Sequence, residues 1–375
     1  MMKHKILFFI ESLGGGGAEK VLSTIVKQID TQRFDVTVCV ITAGGTYDEE
    51  VAKHVRLLSL LKQPETYRGV GKFWYGLKYH MIYDWLPLSW VYKLFLPQKS
   101  DVEIAFVEGF ATKLLSFSTN SKSKRIAWVH CDLKNQPWPI QKGIYKSKEE
   151  ETNVYRRYHK VVCVSKQAEG VMKEYYGLSN TMTIYNPLDS KEISYLARQP
   201  IMMNVDTTKF NMISVGRLER VKGFDMLIPI IRNLCENGVN VHLWIVGEGT
   251  EEKALKQLVL ENGLGNDVTF TGFMKNPYAL MSKMNLFICS SRAEGFSLVL
   301  AEAMLLGLPV VSMNCAGPRE LIRLCGVGTL CDSFERLEQE ILKRVDTIPA
   351  QEDVLTPFDV HSIIPQIENL FEDEG

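Results

Sequence analysis

The sequence predicts an α/β protein made of two Rossmann-like domains, each with a doubly wound parallel sheet. Short, continuously apolar runs alternate with segments of helical periodicity, and this alternation occurs twice along the chain. Strands that alternate with helices form βαβ units, whose strands pair in parallel. A chain of 375 residues with 46% hydrophobic residues is also long and apolar enough for two separate cores.

The first half of the chain begins with the run KILFFI at residues 5–10, followed by VTVCVI at 36–41. Both runs are short, continuously apolar and rich in β-branched or aromatic residues, which is typical of strands buried on both faces of a parallel sheet. Residues 18–29, between them, have the apolar spacing of a helix. Further strands of this half are predicted at 102–107, 125–130 and 160–165.

The second half repeats the alternation after Pro187, which interrupts regular structure in the segment IYNPLD. We therefore predict an N-terminal domain at 1–186, a second domain at 187–357, and a final helix at 358–375 that packs back on the first domain. The predicted strands of the second domain are residues 210–216, 241–247, 268–272, 286–290 and 308–313, with helices at 224–238 and 251–263.

Residues 67–97 depart from this alternation because they are dense in aromatic side chains with basic residues between them. One interpretation is an inserted helical hairpin whose aromatic side chains pack on the first domain. The other is a basic, aromatic face that meets a membrane surface or a lipid-linked molecule. The two interpretations are compatible, and the pattern alone does not choose between them. The basic residues are Arg68, Lys72, Lys78 and Lys93.

Composition and charge exclude several other classes of protein. The formal net charge of −1 argues against nucleic-acid binding, which normally requires a basic excess. The eight cysteines include no C-x-x-C pair and several lie in apolar runs, so we expect reduced, buried thiols and no zinc site. The first apolar run stops at Glu11, too short for a signal peptide, and no run approaches the ~18 apolar residues of a membrane span. We therefore expect a cytoplasmic protein.

Ligands of doubly wound sheets bind beyond the carboxyl ends of the strands, so the residues that follow each strand are site candidates. After the first strand, four consecutive glycines, Gly14 to Gly17, precede a helix, and backbone N–H groups there can approach a phosphate. The dinucleotide fingerprint G-x-G-x-x-G is absent, and a flexible loop without a ligand is the alternative. His130 ends another predicted strand, where its imidazole can either hydrogen-bond a ligand or serve only in packing.

In the second domain, two cations and two carboxylates follow predicted strands. Arg217 and Lys222 are five residues apart and can clamp a diphosphate, although such residues are also common in exposed turns. Glu294 and Glu302 lie in an otherwise apolar segment, where carboxylates can accept the paired hydroxyl groups of a sugar or ribose. The alternative is one exposed carboxylate in a turn and one on an outer helix face.

The turn Glu294–Gly295–Phe296 joins a predicted strand to a helix that runs from about Ser297 to Leu306. Gly295 lets the backbone approach a ligand closely. The start of a helix presents unpaired N–H groups to an anion. The amides expected to face that anion are those of Phe296, Ser297 and Leu298.

These features together resemble the retaining glycosyltransferases of the GT-B fold, specifically family four (glycosyl transferases group 1) of the bacterial polysaccharide-biosynthesis type. The family's E-x7-E motif is matched by Glu294 and Glu302 in EGFSLVLAE, and its R-x4-K pair by Arg217 and Lys222. The run GGAEKVL, at 16–22, is similar to the glycine loop of many bacterial members. The segments VSKQ and IYNPLD resemble the family's interdomain signatures.

The resemblance implies a role for each matching position. Glu294 binds hydroxyl groups of the donor sugar, Glu302 binds the ribose of the nucleotide, and Arg217 with Lys222 neutralises the diphosphate leaving group. His130 lies beside the donor sugar and the acceptor. The other donor-binding positions are Gly16 and Gly17, which close on the donor from the first domain, together with Gly216, Gly295, Phe296, Ser297 and Leu298.

The implied activity is transfer of a sugar, with retention, from a nucleoside-diphosphate sugar in a cleft that two domains face. UDP is the family's commonest donor type, and the acceptor is a glycan or a lipid-linked oligosaccharide in cell-surface polysaccharide biosynthesis. The chain has no D-x-D metal-binding pair, so the resemblance implies no metal and no cofactor, with action at the inner face of the membrane. The alternatives are a sugar-nucleotide epimerase or a phosphorylase on the same fold, and a non-catalytic scaffold subunit.

Overall fold

The computed structural model describes residues 3–346 and 357–373. The chain divides into two units. Unit 1 is formed by Met1–Pro187 with Val360–Gly375, and unit 2 is formed by Leu188–Asp359. Each unit is a parallel sheet with helices, so the prediction of two parallel α/β domains is confirmed. We expected domain boundaries after residues 186 and 357, and the structure divides after Pro187 and Asp359.

Unit 1 contains a seven-stranded parallel sheet with the strand order β3-β2-β1-β4-β5-β6-β7. Strand β1 pairs with β2 on one side and with β4 on the other. The order therefore reverses between β1 and β4, and ligands of doubly wound sheets bind beyond such a point. The strands are β1 His4–Ile10, β2 Phe34–Thr42, β3 Arg56–Leu61, β4 Val102–Ala105, β5 Lys124–Val129, β6 Lys160–Cys163 and β7 Thr181–Thr183.

The helices of unit 1 connect successive strands, and a π-helical turn at Met81–Trp85 joins α3 to α4. They are α1 Gly17–Gln28, α2 Asp48–His54, α3 Val70–His80, α4 Leu88–Phe95, α5 Phe110–Leu115, α6 Trp138–Gln141, α7 Lys148–Tyr155 and α8 Lys166–Gly170.

Unit 2 contains a six-stranded parallel sheet with the order β10-β9-β8-β11-β12-β13, which reverses between β8 and β11. Its strands are β8 Phe210–Val215, β9 Val241–Val246, β10 Val268–Gly272, β11 Leu286–Cys289, β12 Val310–Met313 and β13 Thr329–Cys331. Its helices are α9 Ser190–Ala197, α10 Phe224–Glu236, α11 Glu252–Glu261, α12 Tyr278–Met281, α13 Leu298–Leu305, α14 Ala316–Cys325 and α15 Phe334–Asp346.

The final helix, α16, spans Val360–Glu372 and packs on unit 1. Phe371 meets Phe8 of β1 edge to face, with ring centroids 6.0 Å apart. The Arg33 guanidinium donates to the Glu368 carboxylate at 2.9 Å and bonds Glu372 at 2.6 Å. Apolar burial and two ion pairs thus hold this segment against the first sheet, where the sequence had placed it.

The strands that the apolar runs missed lie at sheet edges. Strands β3 and β7 are the two edges of the first sheet, and β13 is an edge of the second. Each contains half-exposed residues and therefore lacks the continuous apolar run of a central strand. Several predicted strands were also too long at their carboxyl ends. The run predicted at 102–107, for example, ends at Ala105.

The aromatic segment 67–97 forms a helical hairpin made of α3, the π-helical turn and α4, which we call the aromatic hairpin. Ile82, Val91 and Tyr92 are completely buried in the core of unit 1. The buried Tyr92 hydroxyl donates to the Glu103 carboxylate of β4 at 2.5 Å. The packing interpretation of this segment is therefore correct. Among the helices described, none combines the length and the apolar composition needed to cross a bilayer.

The cysteines are free thiols in the structure. Four of them are buried and the other four are half-buried. Burial raises the pKa of the Cys39 thiol to about 12. Such protonated, apolar thiols serve as packing residues, which agrees with their positions in apolar runs.

Candidate active site

The centre of the candidate site in unit 2 is an ion pair between Lys222 and Glu294. The Lys222 ammonium donates to Oε1 of Glu294 at 2.5 Å, and the Ser291 hydroxyl donates to the same oxygen at 2.8 Å. The two charged side chains are only 19% and 13% exposed. Lys222 follows β8 and Glu294 follows β11, so the reversal of strand order brings together residues that are 72 positions apart.

The electrostatics of this pair keep the lysine charged. Burial disfavours the ammonium, but the charge and the hydrogen bond of Glu294 outweigh burial and raise the pKa of Lys222 above its ordinary value. The nearby charge of Arg217 opposes this effect. Arg217 itself is exposed. The structure thus distinguishes two cations that the spacing treated as equivalent, because Lys222 is held by a carboxylate and Arg217 extends into solvent.

Glycines fix the backbone around Lys222. Gly223 has a positive φ of +72°, and a Cβ there would lie 2.1 Å from the Ser290 carbonyl oxygen. The Ser290 hydroxyl in turn donates to the Lys222 carbonyl at 2.8 Å. The Lys222 side chain passes over Gly216, where a Cβ would lie 3.3 Å from its Cε atom. Gly216, a predicted donor-binding position, therefore provides the space that Lys222 occupies.

Contacts with Gly317 and Phe358 hold the turn Glu294–Gly295–Phe296 in place. The Gly317 N–H donates to the Glu294 carbonyl at 2.9 Å, and the buried Phe296 ring meets Phe358 edge to face at 5.4 Å. Helix α13 begins at Leu298, one residue later than predicted, with Ser297 as its N-cap. The Leu298 N–H donates to the Phe296 carbonyl at 3.1 Å. One of the three amides expected to face an anion is therefore bonded within the turn.

Glu302 is buried on α13 and is 2% exposed. The Tyr278 hydroxyl of α12 donates to its Oε1 atom at 3.0 Å. The possibility of two exposed carboxylates is thus wrong for this segment. Tyr278 was not among the predicted site residues, because an aromatic residue in a short apolar stretch gives no sign of a carboxylate partner.

In unit 1, His130 immediately follows β5 and lies beside Phe106, which follows β4. Its Nε2 atom is 2.9 Å from the Phe106 carbonyl oxygen. A carbonyl can only accept, so Nε2 carries the hydrogen and Nδ1 of the neutral ring is an acceptor. Burial lowers the pKa of His130, although Glu108 and the Phe106 carbonyl act in the opposite direction. The imidazole is therefore neutral at physiological pH.

Glu108 holds the turn that carries His130. Its Oε1 atom accepts the backbone N–H groups of His130 at 2.5 Å and of Cys131 at 2.8 Å. The side chain is 2% exposed. Glu108 was not among the predicted site residues, although an acidic residue directly after the apolar run VEIAFV was an available signal.

The glycine loop lies at the start of α1, with Gly16 as the N-cap. The Glu19 carboxylate covers it, since a Cβ on Gly16 would be 2.3 Å from Glu19 Oε2, whereas a Cβ on Gly17 would meet nothing within 4 Å. A carboxylate in the first turn of a helix interacts favourably with the helix dipole. A phosphate at these amides would therefore share the helix start with an acidic side chain, and the predicted role of this loop stays a prediction.

Metal ligands are not grouped in the described part of the chain. Within residues 3–346 and 357–373, no three His, Cys, Asp or Glu side chains lie together as a metal site requires.

Each of the two units is an α/β domain with a parallel sheet, and unit 2 carries a lysine–carboxylate pair where its strand order reverses. This architecture is that of the GT-B class of enzymes. The family model described as glycosyl transferases group 1 matches residues 201–353. The model described as Glycosyltransferase Family 4 matches residues 15–192. The chain belongs to this family of glycosyltransferases, and the resemblance inferred from its motifs is confirmed.

Individual relatives agree with this assignment. An uncharacterized glycosyltransferase of Methanocaldococcus jannaschii is 30% identical over 55% of this chain and 52% of its own, so the match spans about half of that relative. The "N-acetylgalactosamine-N,N'-diacetylbacillosaminyl-diphospho-undecaprenol 4-alpha-N-acetylgalactosaminyltransferase" of Campylobacter jejuni is 26% identical over 85% of this chain and 83% of its own.

Among solved structures, Anabaena HepE in complex with UDP and glucose has a TM-score of 0.77. The match covers 99% of this chain and 100% of HepE at 23% identity, and it shows the shared fold. An epimerase, a phosphorylase and a scaffold subunit were the alternatives to a glycosyltransferase, and the family assignment favours none of them.

Proposed function

We propose that this glycosyltransferase moves a sugar from a UDP-sugar to a lipid-linked or glycan acceptor, with retention at the anomeric carbon, in cell-surface polysaccharide assembly. The observation that carries the proposal is the Lys222–Glu294 pair beside Arg217 at the strand reversal of unit 2. The lysine provides a fixed cation for a diphosphate, and the glutamate provides a carboxylate for sugar hydroxyl groups. The two side chains are hydrogen-bonded to each other.

The role of Lys222 follows from the charge that develops during transfer. As the bond between the anomeric carbon and the UDP oxygen breaks, negative charge grows on the diphosphate, and a preorganised cation stabilises that state. Lys222 is held in place before the reaction by Glu294 and by the Ser290 hydroxyl, which donates to the Lys222 carbonyl. Arg217 adds a second, exposed charge. Together they provide the neutralisation for which other transferases use a metal ion, so we propose that no metal is required.

Glu294 connects the two parts of the donor. Both of its short contacts, from Lys222 and Ser291, are made by Oε1. A carboxylate has a second oxygen with its own acceptor sites, and we assign it to hydroxyl groups of the sugar. Glu302, bonded by Tyr278, is assigned to the nucleotide ribose.

Retention without an enzyme nucleophile is possible by a front-side route. The bond to the UDP oxygen breaks, the acceptor oxygen bonds the same face of the anomeric carbon, and the acceptor proton passes to the leaving phosphate oxygen. His130 is neutral and has Nδ1 as an acceptor, which suits it to hold a sugar hydroxyl rather than to carry a charge.

The donor and acceptor classes are supported by relatives. The structure of HepE holds UDP, and the Campylobacter enzyme is named for a diphospho-undecaprenol acceptor. A polyprenyl acceptor resides in a membrane, so we propose that this protein works at the cytoplasmic face of the membrane.

Donor binding is tested by calorimetry with UDP and GDP in the presence of EDTA. We expect UDP to bind without metal and Lys222→Gln to weaken the affinity, because Lys222 is assigned to the diphosphate. Arg232→Gln is the matched control, because its ion pair with Glu236 lies on the exposed face of α10. If neither nucleotide binds the wild-type protein, the donor-site assignment is wrong.

Turnover is tested by a hydrolysis screen across sugar nucleotides, followed by acceptor trials with the best donor. Release of UDP and a new glycosidic product of unchanged anomeric configuration are expected. Formation of an epimerised sugar nucleotide without any acceptor would instead support the epimerase alternative.

A further inference from the structure

We propose that the outward face of the aromatic hairpin is a membrane-binding surface that docks on an anionic lipid bilayer. The hairpin belongs to unit 1, whereas the proposed donor site belongs to unit 2.

The inner face of the aromatic hairpin already accounts for its folding. Besides Ile82, Val91 and Tyr92, half-buried side chains of the hairpin pack against the core of unit 1. The outward side chains are therefore not required to bury the hairpin. The half-buried packing residues are Tyr75, Tyr83, Leu86, Leu88 and Phe95.

The outward face carries large apolar side chains that are mostly in solvent. Phe73 is 68% exposed, and Trp74, Trp85 and Trp90 are 61%, 60% and 61% exposed. The chain has six tryptophans, so half of them project from these few turns. Tryptophan at a surface is costly in water and favourable at a membrane interface, where its ring meets acyl chains and its N–H meets headgroups.

The spacing of the exposed residues on α4 shows that they share one side of the helix. Trp90, Lys93 and Leu94 follow the i, i+3, i+4 spacing of one helix side, and all three are exposed. Val91 and Tyr92, on the other side, are completely buried. Helix α4 is thus an amphipathic helix whose second face is apolar and basic, the composition of helices that lie in a membrane interface.

The charged residues within the stretch that carries these aromatic side chains are almost all positive. Between residues 67 and 100 there is one carboxylate, Asp84, and it pairs with His80 at 2.7 Å. The whole chain carries a net charge of −1, so this positive region is local. Cations near an anionic bilayer each strengthen binding by roughly fivefold. The basic residues of this stretch are Arg68, Lys72, Lys78, Lys93 and Lys99.

The hairpin is also connected to the edge of the sheet where His130 lies. Tyr83 packs on Phe110 with ring centroids 4.5 Å apart. The Phe110 N–H donates to the carboxylate of Glu11, the residue after β1, at 3.1 Å. A docked hairpin would therefore hold the carboxyl edge of the first sheet near the bilayer. This use of the surface rests on the proposed lipid-linked acceptor, whereas the docking itself does not.

The test is flotation of the purified full-length protein with vesicles of phosphatidylcholine alone and of phosphatidylcholine with phosphatidylglycerol, without donor or acceptor. We expect binding to the anionic vesicles that weakens as salt is raised. Trp74→Ala with Trp90→Ala should reduce the partition coefficient at least about tenfold, since two large apolar side chains lose their insertion. Lys72→Glu with Lys93→Glu should have a similar effect.

The matched controls are exposed residues of unit 2. Tyr195→Ala removes an aromatic side chain that is 65% exposed, and Lys253→Glu with Lys283→Glu makes the same charge change at two other exposed lysines. Both controls should float like the wild type. Equal flotation of test and control variants would overturn the proposal, as would absence of wild-type protein from both kinds of vesicle.

UDP calorimetry on the same variants separates this proposal from the proposed function. Loss of flotation with unchanged UDP affinity supports the membrane surface and shows that the variants are folded. Absence of UDP binding by a wild-type protein that floats would contradict the donor site alone.

Discussion

Replacement of Lys222 by methionine is the sharpest test of the candidate site, because it removes the charge and keeps most of the side-chain volume. A cation about 4 Å from a unit charge, at an effective dielectric of about 20, contributes about 4 kcal/mol. Glu294 contacts the same ammonium at 2.5 Å and cancels part of this. About 3 kcal/mol remains for the charge that develops on the leaving diphosphate, which is about a hundredfold in kcat.

The same substitution lowers stability by a separate route. In this variant Glu294 loses its contact with Lys222 and keeps the hydrogen bond from the Ser291 hydroxyl. Loss of one partner of a buried ion pair lowers the free energy of unfolding by about 3–5 kcal/mol. We expect about 2 kcal/mol here, because the two side chains are 19% and 13% exposed. For a unit of this size we expect the melting temperature to fall by about 4–8 °C.

The assay compares Lys222→Met with the double variant Lys222→Met, Glu294→Gln. The neutral amide removes the unpaired charge, so the double variant should regain much of the stability but none of the activity. Donor turnover and thermal unfolding are measured on both proteins. A kcat within about twofold of wild type for Lys222→Met would refute the assignment of this cation to the diphosphate, whatever the melting temperature shows.

Two further predictions concern His130 and Tyr278. Burial lowers the pKa of His130 in the folded protein. As the pH falls below the ordinary histidine pKa of about 6.5, this side chain is therefore protonated first in the unfolded chain. Stability declines until the pH reaches the pKa of the folded state. Urea titrations between pH 7.5 and 5 should show a smaller decline in His130→Gln, and equal slopes would contradict a neutral, buried imidazole. Tyr278→Phe removes one donor to Glu302 and should cost about 1–3 kcal/mol of stability and weaken UDP binding. Unchanged UDP affinity in calorimetry would assign Glu302 to folding alone.

The central strands could be predicted because burial on both faces leaves a continuous apolar run. The runs that predicted β1 and β2 are completely or almost completely buried along most of their length. The edge strands β3, β7 and β13 could not be found in this way, since one side of each lies open to solvent and accepts polar residues. Their existence depends on a neighbouring strand that offers hydrogen bonds.

The candidate site was accessible to sequence reasoning where residue type and order along the chain suffice. Arg217, Lys222, Glu294 and Glu302 were all selected from their positions after predicted strands. Tyr278 was not, because its hydrogen bond to Glu302 joins residues 24 positions apart in the chain. Glu108, which holds the turn of His130, was also missed, although it directly follows the apolar run that predicted β4.

The sequence by itself determined the fold class and the family, because local apolar patterning and a few motifs in order are enough for both. Tertiary structure alone decided how the charges are arranged. It pairs Lys222 with Glu294 and leaves Arg217 exposed. It also separates the inner face of the aromatic hairpin from the outer one. These outcomes depend on which loops a parallel sheet places side by side, and strand order is a property of the folded chain and not of any local segment.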